Sequence, residues 1–141
     1  RPAAGPPMSL YVITGAPLTG KSTWVRERAV PGDVVVDLDR IAQAMTAEAT
    51  DLHDYPVNIR RASMRVRPRV VREAVNHAHR GDSYVIHTNP SEQARRFYAQ
   101  HAAQLVELSA PLDVIQERAA AERPPGYLNR VAVDFWRDDE A

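Results

Sequence analysis

The feature that most constrains the fold is an eight-residue stretch near the start of the chain, Gly15-Ala16-Pro17-Leu18-Thr19-Gly20-Lys21-Ser22. It has the form G-x-x-x-x-G-K-S, the P-loop pattern in which backbone N–H groups hold nucleotide phosphates. An apolar run at 9–14 precedes it, and a run at 23–29 without proline or glycine follows it. These runs predict a buried strand before the loop and a helix after it. Because a P-loop needs this order of elements, we expect a nucleotide site here rather than an ordinary glycine turn.

The only lysine of the chain, Lys21, lies in this motif, although the chain has 18 lysine and arginine residues in total. A lysine ammonium is a compact point charge that fits beside a polyphosphate, whereas a guanidinium is a planar fork. We therefore predict ATP and Mg²⁺ as cofactors, with Lys21 at the β- and γ-phosphates and the Ser22 hydroxyl on Mg²⁺. The predicted cofactor-binding residues are Gly15, Ala16, Pro17, Leu18, Thr19, Gly20, Lys21, Ser22 and Thr23.

The composition is that of one globular domain of 141 residues, 44% hydrophobic and 26% charged. We assign residues 1–8 to a flexible lead or a cloning remnant and 9–141 to the P-loop domain. The formal net charge is zero, so no overall field favours nucleic acid or a membrane, and the lack of cysteine excludes disulfides and thiolate metal sites. Without a signal peptide or a long apolar run, we expect a cytoplasmic protein with no membrane partner. Nothing in the sequence indicates an oligomeric state.

Apolar runs alternate with helical patterns along the whole chain. Strands are predicted at 9–14, 33–38, 83–87 and 104–109, with helices between them. This alternation predicts an α/β fold with a parallel sheet covered on both faces and a site at the carboxyl ends of the strands. Residues 50–60 are expected to form a loop over that edge. Asn89-Pro90-Ser91-Glu92 is expected to begin a helix, with Asn89 as its N-cap.

A pair of carboxylates at the end of the second predicted strand is the second candidate feature. Asp37 and Asp39 follow Val34-Val35-Val36, and the strand direction places them beside the P-loop. Phosphoryl transfer to a hydroxyl needs a group that accepts the proton and oxygen ligands for Mg²⁺. We assign Asp39 as the general base and Asp37 as the Mg²⁺ ligand. The alternative is that one of them, with Asp39 the better placed, caps the following helix.

Arginines are concentrated between Asn58 and Arg80, where the only acid is Glu73. On a helical wheel four of them form one stripe, with Met64 on the core-facing side, and Pro68 is expected to kink the helix or begin a new one. Such a stripe suits a phosphate backbone, and the alternative is a solvated basic face. We assign the stripe to nucleic-acid binding: Arg61, Arg65, Arg69 and Arg72.

Two further arginines, Arg118 and Arg123, stand just before Pro124-Pro125-Gly126. A mobile segment that brings arginine over the phosphates stabilises transition-state charge, and its closure excludes water. We assign both arginines to a lid, with Arg123 closer to the hinge. The alternative is a helix-surface role in which Arg118 pairs with Glu122.

Together these residues resemble the P-loop kinase domain of the bacteriophage polynucleotide kinase family, which phosphorylates 5′-hydroxyl ends of DNA or RNA. The resemblance covers about Ser9 to Val133. It implies a P-loop kinase fold with a four-stranded parallel sheet, Asp39 as the base for the 5′-hydroxyl, and an arginine-bearing lid. The motifs that match lie at 14–24, Asp39, Val85-Ile86-His87-Thr88-Asn89, Arg95-Arg96 and 118–123.

Two positions depart from the pattern of that family. His87 stands where the family has an aspartate before Thr-Asn, and Ala42 stands where a substrate-reading arginine is expected, with Arg40 close by as the candidate. The leading prediction is an ATP-dependent kinase of nucleic-acid 5′ ends. The alternatives are a kinase of a small hydroxylated metabolite, nucleotide or modified base, and a non-catalytic nucleotide-binding module. An aspartyl phosphatase that uses D-x-D would leave the P-loop unexplained.

Overall fold

The computed structural model of the protein describes residues 9–47 and 55–122. The predicted lead at 1–8, the loop segment 48–54 and the predicted lid residue Arg123 lie outside the described residues. The strands are β1 Leu10–Thr14, β2 Val34–Asp37, β3 Ser83–Ile86 and β4 Gln104–Glu107. The helices are α1 Lys21–Arg26, α2 Ile41–Ala44, α3 Val57–His77, α4 Glu92–Gln100 and α5 Leu112–Glu122, with a 3₁₀-helix at Leu38–Arg40 before α2.

The four strands form one all-parallel sheet in the order β2-β3-β1-β4. Val85 of β3 pairs with Val36 on one side and with Val12 of β1 on the other, so β3 and β1 are the two central strands. The predicted α/β fold and four-stranded parallel sheet are therefore confirmed. Because all strands run the same way, the residues that follow β1, β2 and β3 meet at one edge of the sheet.

Alternate side chains of the central strands are buried on opposite faces of the sheet. On one face, Val12 and Val85 pack with Val71 and Ala74 of α3 and with Tyr98 of α4. On the other face, a second cluster joins the sheet to the first helix: Ile13, Tyr84, Ile86 and Val25 of α1. Strands buried on both faces explain the near-continuous apolar runs in the sequence. Helices on both faces were predicted and are confirmed.

Helix α3 differs from the prediction in three ways. It begins at Val57, so the end of the predicted loop at 50–60 is helical, and it continues through Pro68 as one helix to His77. Pro68 has no N–H to donate to the Met64 carbonyl, so one helical hydrogen bond is missing. The helical turns after Pro68 are buried against the sheet, and this burial offsets the missing bond. Met64 is 46% exposed, so its predicted place on the core-facing side is wrong.

The start of α4 is also corrected. Its N-cap is Ser91, whose hydroxyl accepts a hydrogen bond from the N–H of Ala94 at 3.1 Å, and not Asn89. The Ser91 hydroxyl meets the third helical N–H in the standard capping geometry, whereas Asn89 is buried two residues upstream. Among the helices within the described ranges, none has both the length and the apolar character needed to cross a bilayer.

Candidate active site at the carboxyl edge of the sheet

The P-loop joins β1 to α1 and begins with a glycine that the backbone requires. Gly15 has a φ of 141°, and a Cβ at this position would collide with the carbonyl oxygen of Leu108. Gly20 has a φ of 96°, a left-handed conformation that glycine adopts easily, immediately before α1. The N–H of Gly15 donates to the Thr88 carbonyl at 3.0 Å, which ties the loop to the end of β3. The motif therefore lies between a strand and a helix as predicted.

Lys21 lies inside this loop, where its side chain is almost enclosed. The residue is 8% exposed, and its ammonium donates to the carbonyls of Gly15 and Ala16, both at 2.8 Å. Burial lowers the pKa of Lys21, while the carboxylates of Asp39 and Asp37 oppose that shift. The charges of both predicted acids therefore act on the ammonium of Lys21. Ser22 and Thr23 follow in the first turn of α1.

Asp37 ends β2 and caps the 3₁₀-helix that follows. Its Oδ1 accepts from the N–H of Asp39 at 3.0 Å, and its Oδ2 lies 3.4 Å from Nε of Arg40. Burial, and next the negative charge of Asp39, raise the pKa of Asp37 to about 6. Of the two acids, it is therefore Asp37 that caps the following helix, and the carboxylate of Asp39 binds other groups. Arg40, predicted to contact nucleic acid, contacts Asp37 at this edge.

The carboxylate of Asp39 is held by side chains from two other elements. The hydroxyl of Thr88, just after β3, donates to Oδ2 of Asp39. On the α3 side, Nη2 of Arg67 lies 3.7 Å from Oδ1 of Asp39, with the Arg67 side chain 17% exposed and that of Asp39 30% exposed. Asp39 thus remains partly open to solvent between two fixed neighbours.

Arg67 was not among the predicted site residues, although the sequence contains a signal for it. Along α3, Ser63, Val71 and Ala74 are buried, and Arg67 has the spacing of that same buried stripe. An arginine on the core-facing side of a helix is unusual and indicates a fixed role for its charge. The predicted stripe of arginines lies on the solvent side of the same helix, where all four are exposed: Arg61, Arg65, Arg69 and Arg72.

His87 and Tyr98 form a neutral polar pair behind Arg67. Nδ1 of His87 lies 2.9 Å from the hydroxyl of Tyr98, and the two rings meet edge to face. Burial, together with the positive charges of Arg67 and Arg95, lowers the pKa of His87 to about 3. Burial raises the pKa of Tyr98 above its usual range. Both side chains are therefore uncharged at neutral pH.

The end of the described chain also reaches the P-loop. Nη1 of Arg118, in α5, donates to the carbonyl of Leu18 at 2.6 Å. Leu18 is at the centre of the loop and has a φ of 66°, a left-handed conformation uncommon for leucine. Of the two predicted lid arginines, Arg118 is thus beside the loop, and Arg123 lies beyond the described residues.

The oxygen donors at this edge suit a nucleotide-bound Mg²⁺ better than a metal held by protein alone. Within residues 9–47 and 55–122, no three His, Cys, Asp or Glu side chains converge as a metal site. Magnesium in kinases is usually held by one or two protein oxygens, with the phosphates and water completing the shell. The Ser22 hydroxyl and the Asp37 carboxylate, which interacts electrostatically with Lys21, fit that donor set.

The sequence was also compared with known protein families. The model of the AAA domain family (AAA_33) matches residues 10–134 of the sequence. No curated protein matches the sequence of this chain. A chain from the Pnkp1/Rnl/Hen1 complex is similar, with a TM-score of 0.58 and 18% identity over 83% of this chain and 41% of that chain.

Two further solved structures share the fold at low identity. A chain of the Pnkp1/Rnl/Hen1 RNA repair complex has a TM-score of 0.60 and 14% identity, over 98% of this chain and 47% of that chain. The tunicamycin resistance protein of Deinococcus radiodurans has a TM-score of 0.51 and 17% identity, over 88% of this chain and 78% of that chain. This chain therefore spans less than half the length of the RNA repair complex chains that it matches.

Proposed function

The chain belongs to the AAA domain family and has a P-loop kinase-like fold, and on that premise we propose that it is an ATP-dependent polynucleotide 5′-hydroxyl kinase. One observation carries the proposal: Thr88 joins the P-loop to the proposed base. Its carbonyl accepts from Gly15 at 3.0 Å, and its hydroxyl donates to Asp39. The resemblance to the bacteriophage polynucleotide kinase family and the similarity to chains of the RNA repair complex support the nucleic-acid acceptor.

In this proposal the phosphates of ATP lie on the backbone of residues 15–23. Lys21 leaves the carbonyls that it now contacts and binds the β- and γ-phosphates. Ser22 and Asp37 would hold Mg²⁺, which neutralises charge on the β- and γ-phosphates when bound. Arg118, already beside Leu18, together with Arg123, would contact the charge that develops on the transferring group.

Asp39 acts as the general base on the acceptor. The 5′-hydroxyl oxygen forms a bond to the γ-phosphorus, and the bond from that phosphorus to the β–γ bridging oxygen breaks, which releases ADP. The proton of the hydroxyl passes to the Asp39 carboxylate. Thr88 orients this carboxylate, and the products are ADP and a 5′-phosphorylated end.

The basic face of α3 supplies the proposed contacts to the rest of the nucleic acid. Arg61, Arg65 and Arg72 are exposed, and Arg69 is exposed while pairing with Glu73 at 2.9 Å. Exposed pairs of this kind contribute little to stability, so a phosphate can replace Glu73 as the partner of Arg69 at low cost. Arg40, which follows the proposed base in sequence and pairs with Asp37, is proposed to contact the end of the nucleic-acid strand. We also propose that the protein acts in the cytoplasm.

Transfer of labelled γ-phosphate tests the proposal directly. The wild-type protein, with ATP and Mg²⁺, is given a single-stranded DNA or RNA oligonucleotide with a 5′-hydroxyl, and the same oligonucleotide with a 5′-phosphate is the matched control. Label is expected on the first substrate alone. Absence of label on both DNA and RNA, in a preparation that binds ATP, would reject the polynucleotide acceptor.

A kinase of a small hydroxylated compound is the second candidate. One comparison supports it: the match to the tunicamycin resistance protein covers 78% of that chain. The formal net charge of zero also suits a small acceptor. ADP release that rises with small hydroxyl compounds, including nucleosides and tunicamycin, but not with oligonucleotides would establish this alternative.

A further inference from the structure

The arginine stripe of α3 lies on the opposite side of the helix from the proposed base. Arg67 marks the side that meets the base, since its guanidinium lies 3.7 Å from the Asp39 carboxylate. Arg65 and Arg69 are each two residues away from Arg67, which places them about 160° around the helix from it. The Arg67 side of the helix also carries the buried Val71, whereas every arginine of the stripe is exposed. The stripe therefore faces solvent, away from the acceptor position.

The positive charge of the stripe is poorly neutralised. Arg69 pairs with Glu73 at 2.9 Å, and both side chains are well exposed. Within residues 9–47 and 55–122, the other three arginines of the stripe have no ion pair or hydrogen bond. Arg61, Arg65 and Arg69 follow one another at intervals of four residues, and like charges at this spacing repel each other and disfavour the helix. An anion that lies along the stripe would relieve this repulsion.

The chemistry of the stripe suits phosphates rather than bases. Helix α3 contains no Phe, Tyr or Trp, so the stripe offers no aromatic ring on which a base could stack. The fork of a guanidinium binds two phosphate oxygens at once. Arginines four residues apart lie about 6 Å apart along the helix axis, so the guanidinium groups form a row rather than a single site. Such a row contacts several phosphates of one strand without reading its sequence.

We propose that the stripe is a separate exosite, which binds internal phosphates of a single nucleic-acid strand whether or not the 5′ end of that strand is bound. The inference rests on the proposed function, because it takes Asp39 as the place of the 5′-hydroxyl. A strand that begins at Asp39 reaches the stripe only by passing round a helix about 10–12 Å across. A dinucleotide is too short for that path, whereas a long strand can occupy both places. The exosite therefore favours long acceptors over short ones.

A circular single-stranded oligonucleotide tests the exosite, since it has no 5′ end that could enter the acceptor site. Fluorescence anisotropy at low salt measures its binding, beside that of a linear 5′-hydroxyl oligonucleotide of the same sequence. The wild type is expected to bind both. Arg65→Gln combined with Arg69→Gln is expected to weaken binding of the circle roughly tenfold or more, because two contacts to charged groups are lost. No binding of the circle by the wild type, or undiminished binding by the double variant, would overturn the inference and leave the stripe to solvent or to an acidic protein.

Two further variants separate binding by the stripe from a general effect of charge. Arg26→Gln combined with Arg80→Gln removes two exposed arginines outside the stripe, at the end of α1 and just beyond α3, and is expected to bind the circle as the wild type does. Glu73→Gln removes the acid that competes for Arg69 and is expected to tighten binding of the circle. Equal losses in the two double variants would reject the stripe as the site. Melting temperatures are expected to stay close to that of the wild type, since all of these side chains are exposed.

Transfer kinetics separate this inference from the proposed function. For the wild type, KM is expected to be higher for a 5′-hydroxyl dinucleotide than for a long oligonucleotide, and the Arg65→Gln, Arg69→Gln double variant is expected to raise KM for the long acceptor alone. Binding of the circle through the stripe, with no transfer to any acceptor, would reject the kinase activity and keep the exosite. Transfer with the same KM for both lengths, by a protein that does not bind the circle, would keep the kinase and reject the exosite.

Discussion

The hydroxyl of Thr88 donates a hydrogen bond to the carboxylate of Asp39, so a residue just after β3 fixes the acid that follows β2. The carbonyl of the same threonine accepts from Gly15 at 3.0 Å at the start of the P-loop. The distance between the nucleotide loop and the proposed base is therefore set through one residue just after a central strand. This connection explains how two motifs far apart in sequence form one site.

Thr88→Val is expected to reduce turnover while leaving the Michaelis constant for ATP unchanged. The valine keeps the backbone carbonyl that anchors Gly15, but it removes the donor to Asp39. A hydrogen bond to a charged group contributes about 1.5–3 kcal/mol, so kcat is expected to fall roughly 10- to 100-fold. Thr88→Ser keeps the hydroxyl and is expected to retain most activity. Equal losses in the two variants would show that the hydroxyl does not orient the base.

Lys21→Ala is expected to lower both ATP affinity and turnover, because the ammonium contacts phosphate in the ground state and in the transition state. Equilibrium binding of a fluorescent ATP analogue and steady-state kinetics would measure the two effects separately. Lys21 now donates to two loop carbonyls, so the melting temperature of the variant without nucleotide is recorded as a control for loop integrity. Normal ATP affinity in a folded Lys21→Ala protein would contradict the nucleotide site.

Asp37→Asn is expected to stabilise the nucleotide-free protein at neutral pH. The pKa of Asp37 is raised from 3.8 to about 6, so the folded state binds its proton more tightly than the unfolded chain does. Stability attributable to this group is therefore present below about pH 4 and lost as the pH rises through about 6. Asparagine keeps the oxygen that accepts from Asp39 N–H and removes the charge. Between pH 4 and pH 8, the melting temperature of Asp37→Asn should exceed that of the wild type by an amount that grows with pH. A difference that stays constant with pH would contradict the raised pKa of Asp37.

Arg65→Gln combined with Arg69→Gln is expected to weaken oligonucleotide binding and to flatten its dependence on salt. Each phosphate contact that is lost reduces the slope of log affinity against log salt by about 0.7 for a single strand. Fluorescence anisotropy at several salt concentrations measures this slope. Arg80→Gln, at the far end of the helix, is the matched control. An unchanged slope in the double variant would assign these arginines to a solvated face.

Periodicity and local motifs were enough to predict the sheet, the P-loop and the position of the two acids. The strands are apolar runs buried on both faces, and the carboxyl edge of a parallel sheet collects whatever follows each strand. The N-cap of α4 was misplaced because Asn89 and Ser91 are both capping residues, and only the backbone decides between them.

Long-range contacts were the part that local patterns did not reveal. Pro68 was expected to kink the helix or to begin a new one, and no new helix begins there, because packing against the sheet outweighs one missing helical bond. The approach of Arg67 to Asp39 depends on how α3 lies across β2 and β3, which no local pattern specifies. The place of Arg67 on the buried stripe of α3 was the available signal, and it was hidden among the six other arginines of residues 58–80.

The most direct test of the account is γ-phosphate transfer by Asp39→Asn beside the wild type, with ATP·Mg²⁺ and a 5′-hydroxyl oligonucleotide. Asparagine keeps the shape of the side chain and an acceptor for Thr88, but it cannot take the proton of the acceptor hydroxyl. The account predicts normal ATP binding with transfer reduced roughly 10²- to 10⁴-fold, the usual contribution of a general base. Near-normal transfer by Asp39→Asn would contradict the assignment of Asp39 as the base.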